Sequence, residues 1–301
     1  MFVISLPLAI LFCVITMLGW GSWANTQKLA GKEKWPFQLF YWDYAIGVFL
    51  FSLLFSLLGG GFQVVGAFTI PALISGAIFN LANILLVIGI DAAGMSVAFP
   101  VGIGLALVIG TIESYLLEPK GNPSLLFAGV ALIVFAMIMS GASHRSHGRS
   151  PVRGLIFSIV AGCIMGLFYP QLMRAIGPGK LTPYVALVFF AAGVLLSNII
   201  VNTVFMRAGG FRYADYFRGS AKLHSIGILG GSIWMLALCL NVIASNVAGP
   251  AISYALGQGA TLVAAIWGVF IWREKGNILY TTLMFIGYAS GLILIGAATL
   301  R

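Results

Sequence analysis

Charge is the scarcest property of this 301-residue chain: 8% of its residues are charged and only seven are acidic. With 60% hydrophobic residues beside so few charges, a soluble globular protein is excluded, because its surface could not be kept hydrated. Cysteine is nearly as rare. Cys13, Cys163 and Cys239 each stand alone in an apolar run, which excludes a disulfide framework and a thiolate metal site and leaves small packing residues. The three histidines, His144, His147 and His224, fall in the connections between apolar runs. No Ser/His, paired-Asp or metal-ligand spacing occurs within a run, so neither an enzyme nor a bound metal or cofactor is expected. Gly102-Ile-Gly104 lacks the third glycine and the flanking strand of a dinucleotide site. The net charge of +9 does not mark a nucleic-acid partner, since the Lys and Arg residues are scattered over short connections and form no patch.

Apolar length is abundant. Ten runs, at roughly 4–26, 37–58, 70–90, 95–117, 123–143, 152–173, 183–205, 225–245, 249–272 and 278–299, come up to the ~18 residues of a membrane span. They predict an all-α, polytopic membrane protein of ten transmembrane helices, placed in the cell (inner) membrane with the lipid bilayer as its solvent. The first run is too long for a cleaved signal peptide and is expected to stay. Twelve Lys and Arg fall on the side of connections 1–2, 3–4, 5–6, 7–8 and 9–10, and four on the side of the termini. The positive-inside rule then puts both termini outside.

The chain also repeats itself. Shifted by 155 positions, residues 74–122 lie on 229–277 without a gap, with 16 of 49 pairs identical, among them Gly76 with Gly231, Gly94 with Gly249 and Lys120-Gly-Asn122 with Lys275-Gly-Asn277. Residues 28–50 match 174–196 at a shift of 146, pairing Gly47 with Gly193. Each copy holds five spans, and an odd number sends the second copy into the membrane from the opposite side. The expected organisation is two inverted five-helix repeats, 1–143 and 154–301, joined by the basic linker 144–153 in one membrane domain.

Polar side chains within spans need a partner or a water-filled cavity. Asn80 and Asn83 share a face of the third span, where the second copy has Met235 and Leu238; they are candidates to bind a solute or to bond neighbouring helices. Trp23 and Asn25 match Tyr169 and Gln171, an aromatic ring two residues before an amide in both copies. Such a pair can stack a flat ligand and hydrogen-bond its edge, or serve as an interfacial anchor. Trp20, Tyr254 and Gln258 complete the substrate-binding candidates. Asp43, matched to Phe189, and Glu113, matched to Gly268, are the proton-coupling candidates; the alternatives are that Asp43 is an interfacial charge tied to Lys28, Lys32 or Lys34, and that Glu113, near a connection, snorkels to water. Pro100 frees a carbonyl inside the fourth span and can mark a hinge or an unwound turn. In the connection 207–218, Tyr213, Tyr216 and Phe217 share a face that suits the headgroup layer, with a gating lid as the alternative.

Leu18-Gly19 followed by Trp23, Asp43-Tyr44, Asn80, and Gly94-Met-Ser-Val-Ala98 followed by Val108-Ile-Gly-Thr111 resemble the drug/metabolite transporter superfamily. The resemblance is closest to its ureide permease and glucose and rhamnose porter branches. It implies a secondary transporter, monomer or homodimer, that takes up a small polar solute (sugar, ureide or nucleobase-like) with a proton or sodium ion. An exporter of drugs or metabolites on the same fold is the alternative. Asp43 and Asn80 lie in matched stretches; Glu113 has no counterpart there.

Overall fold

The computed structural model describes residues 5–59, 66–93, 95–143, 151–273 and 276–300. Most of the expected linker, 144–150, and the Pro100 side chain lie outside the described residues. The described chain is all-α: no strand occurs in it, only an isolated bridge between Ile176 and Leu181.

Inside a bilayer a chain must pair its backbone groups within itself, so long apolar runs become helices. The first span is α1 (Leu6–Ser22) and α2 (Ala24–Lys32), interrupted at Trp23, and the next four are α3 (Phe37–Leu58), α4 (Thr69–Ala93), α5 (Met95–Leu117) and α6 (Pro123–Ser143). The sixth is α7 (Pro151–Met165) and α8 (Phe168–Arg174), broken just before Tyr169, the residue matched to Trp23. Then come α9 (Pro183–Ala208), the short α10 (Tyr213–Phe217) and α11 (Ala221–Ala248). The ninth span is α12 (Pro250–Gly257) and α13 (Ala260–Ile266), extended by a π-helical turn (Trp267–Ile271), and the last is α14 (Ile278–Ala297). Nine of these segments are long and apolar enough to cross a membrane, and Val101–Leu117 is a shorter apolar helix among the described residues.

The punctuation follows residue chemistry. Proline stands in the first turn of α1, α9 and α12, where its missing N–H costs nothing, and Gly59, Gly209 and Gly249 follow the ends of α3, α9 and α11. Gly249 has φ +87°, which lets α12 follow α11 without a loop.

Matched helices meet head to tail. The end of α3 at Gly59 lies against Tyr184 at the start of α9, while Asn202 near the end of α9 donates to the Gln38 carbonyl at the start of α3. Likewise Asn122 N–H, before α6, donates to Ala298 O after α14, and Asn277 N–H, before α14, donates to Ser143 O at the end of α6. Both pairs run antiparallel.

Small residues set the crossings. A Cβ on Gly76 would stand 2.0 Å from the Phe190 carbonyl oxygen, and one on Gly231 would stand 2.0 Å from that of Tyr44. A Cβ on Gly193 would stand 2.1 Å from Leu73 O, and one on Gly47 2.2 Å from Ile228 O. Tyr44 and Phe190 are matched at the shift of 146, and Leu73 and Ile228 lie 155 apart. The α4–α9 contact is therefore repeated at α11–α3, backbone against backbone. A large aromatic core fills the space between α3, α4, α8, α9 and α11, and a second, aliphatic one lies between α5, α6, α12 and α14. Leu58, Leu116 and Ile200 point outward, as lipid-facing residues do.

Candidate functional site

Three features lie along the bundle: an open cleft, an aromatic barrier and a closed polar cluster. The cleft, about 710 Å³, opens where α3, α5, α8 and α11 end and α9 and α12 begin. Met173 and the buried Ser245 line it, together with Glu118, Lys120, Arg174, Lys180, Tyr184 and Asn246. Lys120 pairs with Glu118 at 2.7 Å and donates to the Asn246 carbonyl at 3.1 Å. Lys180 donates to the Arg174 carbonyl at 3.0 Å, and Arg174 donates to Gln171 Oε1 at 2.9 Å. Arg174 also stands 3.7 Å from Glu113, whose side chain is 39% exposed. Glu113 thus takes the water-facing position, one of its two expected alternatives. A half-exposed ion pair is worth at most about 1 kcal/mol, so Glu113→Gln is expected to change pH-dependent uptake less than twofold; a proteoliposome pH profile checks this.

Aromatic rings close the bundle beneath the cleft. Tyr169 and Tyr254 pack with their ring centres 4.9 Å apart and tilted by 30°, and Phe168 meets both edge-on. Deeper, Phe79 and Trp234 stack at 4.2 Å, flanked by Phe190 and by Trp20, whose Nε1 donates to the Trp234 carbonyl at 3.2 Å. Phe79 and Trp234 are themselves matched by the 155 shift, so the barrier is built where the two copies meet. Tyr254 donates its hydroxyl to Ala106 O at 3.3 Å. Gln258 is 9% exposed at the break between α12 and α13, next to Gly257, which packs on Trp20.

The two asparagines of α4 bond to neighbouring helices. Asn80 Nδ2 donates to Ser197 Oγ on α9 at 3.0 Å, and Asn83 Nδ2 donates to the Tyr41 hydroxyl on α3 at 3.2 Å. Asn80 Oδ1 and the Tyr44 hydroxyl are buried without a partner among the described residues, and the Tyr169 hydroxyl, beside Ser245, completes no hydrogen bond by geometry. A buried polar atom without a partner is destabilising by roughly 1–3 kcal/mol, so each of these atoms, like the other buried unpartnered ones, retains unused hydrogen-bonding capacity. Trp23 packs on Tyr44 at 4.8 Å, and Tyr44 stacks on Tyr41. Asn25 donates to the Ser22 carbonyl and accepts from Trp272 Nε1 at 2.7 Å, while Trp267 Nε1 donates to Ser22 Oγ at 2.9 Å. The turn from Trp267 to Trp272 is thereby fastened to the first span.

None of the nine sequence-derived candidates lines the cleft. Tyr169, Gln171 and Tyr254 lie toward the cleft, Trp20, Asn80 and Gln258 near the barrier, and Trp23, Asn25 and Asn83 beyond it. The cleft residues Glu118, Lys120, Tyr184 and Asn246 each read in sequence as an ordinary helix-end residue; the repetition of Lys120 as Lys275 and the match of Asn246 to Asp91 are the signals that single two of them out.

The face opposite the cleft, where the basic connections lie, is closed around Asp43. Its side chain is 2% exposed and accepts from the Tyr216 hydroxyl at 2.7 Å, and His224 Nδ1 lies 3.0 and 2.9 Å from its two oxygens. Trp35 meets the imidazole edge-on, and Lys222 pairs with Glu33 across the same seam. Burial and the neighbouring Asp43 carboxylate push the Tyr216 hydroxyl above the ordinary tyrosine range, which keeps it a donor. His224, expected in a connection, sits in the first turn of α11. Of the interfacial trio in 207–218, Phe217 is 77% exposed, whereas Tyr216 turns into the bundle. Only the fold brings Asp43, Tyr216 and His224 together, since 173 or more residues separate Asp43 from the others.

Comparison with known proteins fits this architecture. Over 302 aligned residues the chain is 27% identical to the "Putative sugar uptake protein lmo0424" of Listeria monocytogenes, covering 96% of this chain and 97% of that one. It is 26% identical, with the same coverage, to the "Putative sugar uptake protein lin0444" of Listeria innocua. A crystal structure with 15% sequence identity superposes with a TM-score of 0.69 over 95% of both chains, a likeness of fold alone. The family described as sugar transport protein matches residues 11–301. By that match, across ten apolar segments and nearly its whole length, the chain belongs to the sugar transport protein family.

Proposed function

We propose that this chain takes up a sugar by alternating access between two inverted five-helix repeats, residues 1–143 and 154–301. The antiparallel pairing of α3 with α9 and of α6 with α14 supports the inversion, and the exchanged glycine contacts support the duplication. The reading is carried by the unequal condition of the two faces: an open cleft on one, and Asp43 held by Tyr216 and His224 on the other. One gate is open while the other is shut, as a carrier requires.

The cleft is the entrance. It offers a carboxylate, an amide and an aromatic ring in Glu118, Asn246 and Tyr184, a mixture suited to hydroxyls and the apolar face of a sugar ring. From there the sugar passes Met173 and Ser245, then meets the Tyr169 hydroxyl and Asn80 Oδ1, whose unmet hydrogen-bonding capacity its hydroxyls would satisfy. The Listeria relatives, named for sugar uptake, favour a sugar over a ureide or nucleobase and import over export. Asp43, with a proton or sodium ion, is the group proposed to couple the cycle.

Labelled sugar and ureide counterflow in proteoliposomes tests the reading, with Asn246→Cys introduced into a cysteine-free background. A bulky, membrane-impermeant thiol reagent on Asn246→Cys is expected to cut sugar entry at least about tenfold, an effect of roughly 1.4 kcal/mol or more. Sugar in the medium is expected to slow the labelling. Entry unchanged at full labelling would remove the cleft from the path, and counterflow of ureide alone would replace the substrate.

A further inference from the structure

The connection between the seventh and eighth spans does more than join them. It leaves α9 through Gly209 and Gly210, the latter at φ +83°, forms the five-residue α10, and re-enters at Gly219 and Ser220. Glycines bracket the segment at both ends, as at a hinged loop. From it Tyr216 reaches 2.7 Å to the Asp43 carboxylate on α3, and the first turn of α11 brings His224 Nδ1 to 2.9 Å from the same group. Gly227, one turn further, permits this approach: a Cβ there would lie 2.4 Å from Asp43 Cβ. Two elements of the second half, α10 and α11, thus converge on one buried carboxylate of α3.

We propose that α10 is a lid over the basic-face end of the pathway, that Asp43, Tyr216 and His224 are its catch, and that a proton taken up by Asp43 releases it. The proposal builds on the carrier reading only for what the opening serves. Hydrogen bonds to an ionised carboxylate are roughly twice as strong as neutral ones, and breaking a buried pair by neutralising one member leaves the partners poorly satisfied. Uptake of a proton therefore loosens both ties together.

Among the contacts of the described residues, no other charge reaches the Asp43 carboxylate. From α11, Lys222 is engaged with Glu33 of the 1–2 connection. From α10, Asp215 accepts from the Arg212 N–H and faces Arg218 at 3.5 Å. The neighbours of Asp43 on α3 itself are aromatic: Tyr41 is bonded by Asn83, Tyr44 is stacked on Tyr41, and Trp42 packs on Tyr213. The titratable groups touching the carboxylate are the imidazole and the phenol. A protonated imidazole tightens the catch while Asp43 is ionised, so release waits for the carboxyl to take its own proton.

The test uses the full chain in liposomes, with Cys13→Ala, Cys163→Ser and Cys239→Ala, and spin labels on Gly31→Cys and Ala214→Cys. Both labelled positions are exposed on the basic face, and a side chain on Gly31 would meet open space. Acidification from pH 8 to pH 5 is expected to lengthen the label distance by roughly 5 Å, the rise of one helical turn. Asp43→Asn is expected to give the long distance at every pH. His224→Gln and Tyr216→Phe each remove a bond to the ionised carboxylate, so their opening midpoints are expected to move upward, by about one pH unit for a tenfold weaker catch. A distance that ignores pH in the parent, or midpoints unmoved in both of these variants, overturns the lid even if Asp43→Asn fails to fold. Sugar counterflow at equal pH on both sides separates the two readings: counterflow with a motionless lid sinks only the lid, and a moving lid without counterflow sinks only the carrier.

Discussion

Gly76→Ala and Gly231→Ala each lower the unfolding midpoint of the detergent-purified protein by roughly 6–12 °C, and by similar amounts. The added methyl would stand 2.0 Å from a carbonyl oxygen and 2.8 Å from a backbone nitrogen, those of Phe190 and Val194 in one case and of Tyr44 and Val48 in the other. Backbone atoms of a packed helix cannot turn aside as a flexible side chain can, so the two helices must separate. Overpacking of this kind costs about 3 kcal/mol, and a protein of this size loses about 2–4 °C per kcal/mol. Equality is the sharper half of the expectation, because it follows from the repeated crossing and from nothing else in the fold. Scanning fluorimetry with the intrinsic tryptophans measures it. One sensitive and one indifferent site would show that the α4–α9 and α11–α3 contacts are not energetically alike.

Trp234→Ala makes the carrier leak. Efflux of sugar from preloaded vesicles is expected to rise by about an order of magnitude, with a stability loss of roughly 3–5 kcal/mol for the emptied ring site. Trp234 packs against Phe79, Trp20, Phe168 and Phe190, and its carbonyl holds the Trp20 indole. Removing it takes the centre out of the aromatic barrier that separates the cleft from the basic face. Trp234→Phe is the discriminating control. The matched position in the first repeat is already Phe79, so a phenyl ring at 234 is expected to restore the seal while leaving part of the stability loss. Efflux unchanged in Trp234→Ala would mean that the barrier lies elsewhere.

Much of this architecture could be read before any coordinates. The shortage of charge forced a membrane protein, and two glycine pairs shared by the copies, Gly76 with Gly231 and Gly47 with Gly193, proved to be crossing points of their helices, because a residue that permits backbone contact must recur wherever that contact recurs. The polar residues were harder to place. Helical spacing puts Asn80 and Asn83 on one face of α4, but it does not say that one amide meets Ser197 and the other Tyr41. Glu113 and Gln171 looked unlike each other in sequence, yet Arg174 engages both at the edge of the cleft. The Asp43 cluster was invisible for a simpler reason: its members lie on segments far apart in the chain, and His224 reads as one more polar residue in a connection until α11 is laid against α3. Sequence periodicity reports which side of a helix is polar; only packing reports what that side faces.

The position matched to Asp43 in the second copy is Phe189, part of the aromatic core margin. The cleft face consequently has no acid of its own at the equivalent place, and its closure would be driven by the withdrawal of apolar surface from water, a term that weakens on cooling. The two strokes of the cycle would then keep different clocks. Acidity would time the one that opens toward the basic face, and temperature the one that shuts the cleft, so chilling and alkalinity would arrest the machine at different points of its travel.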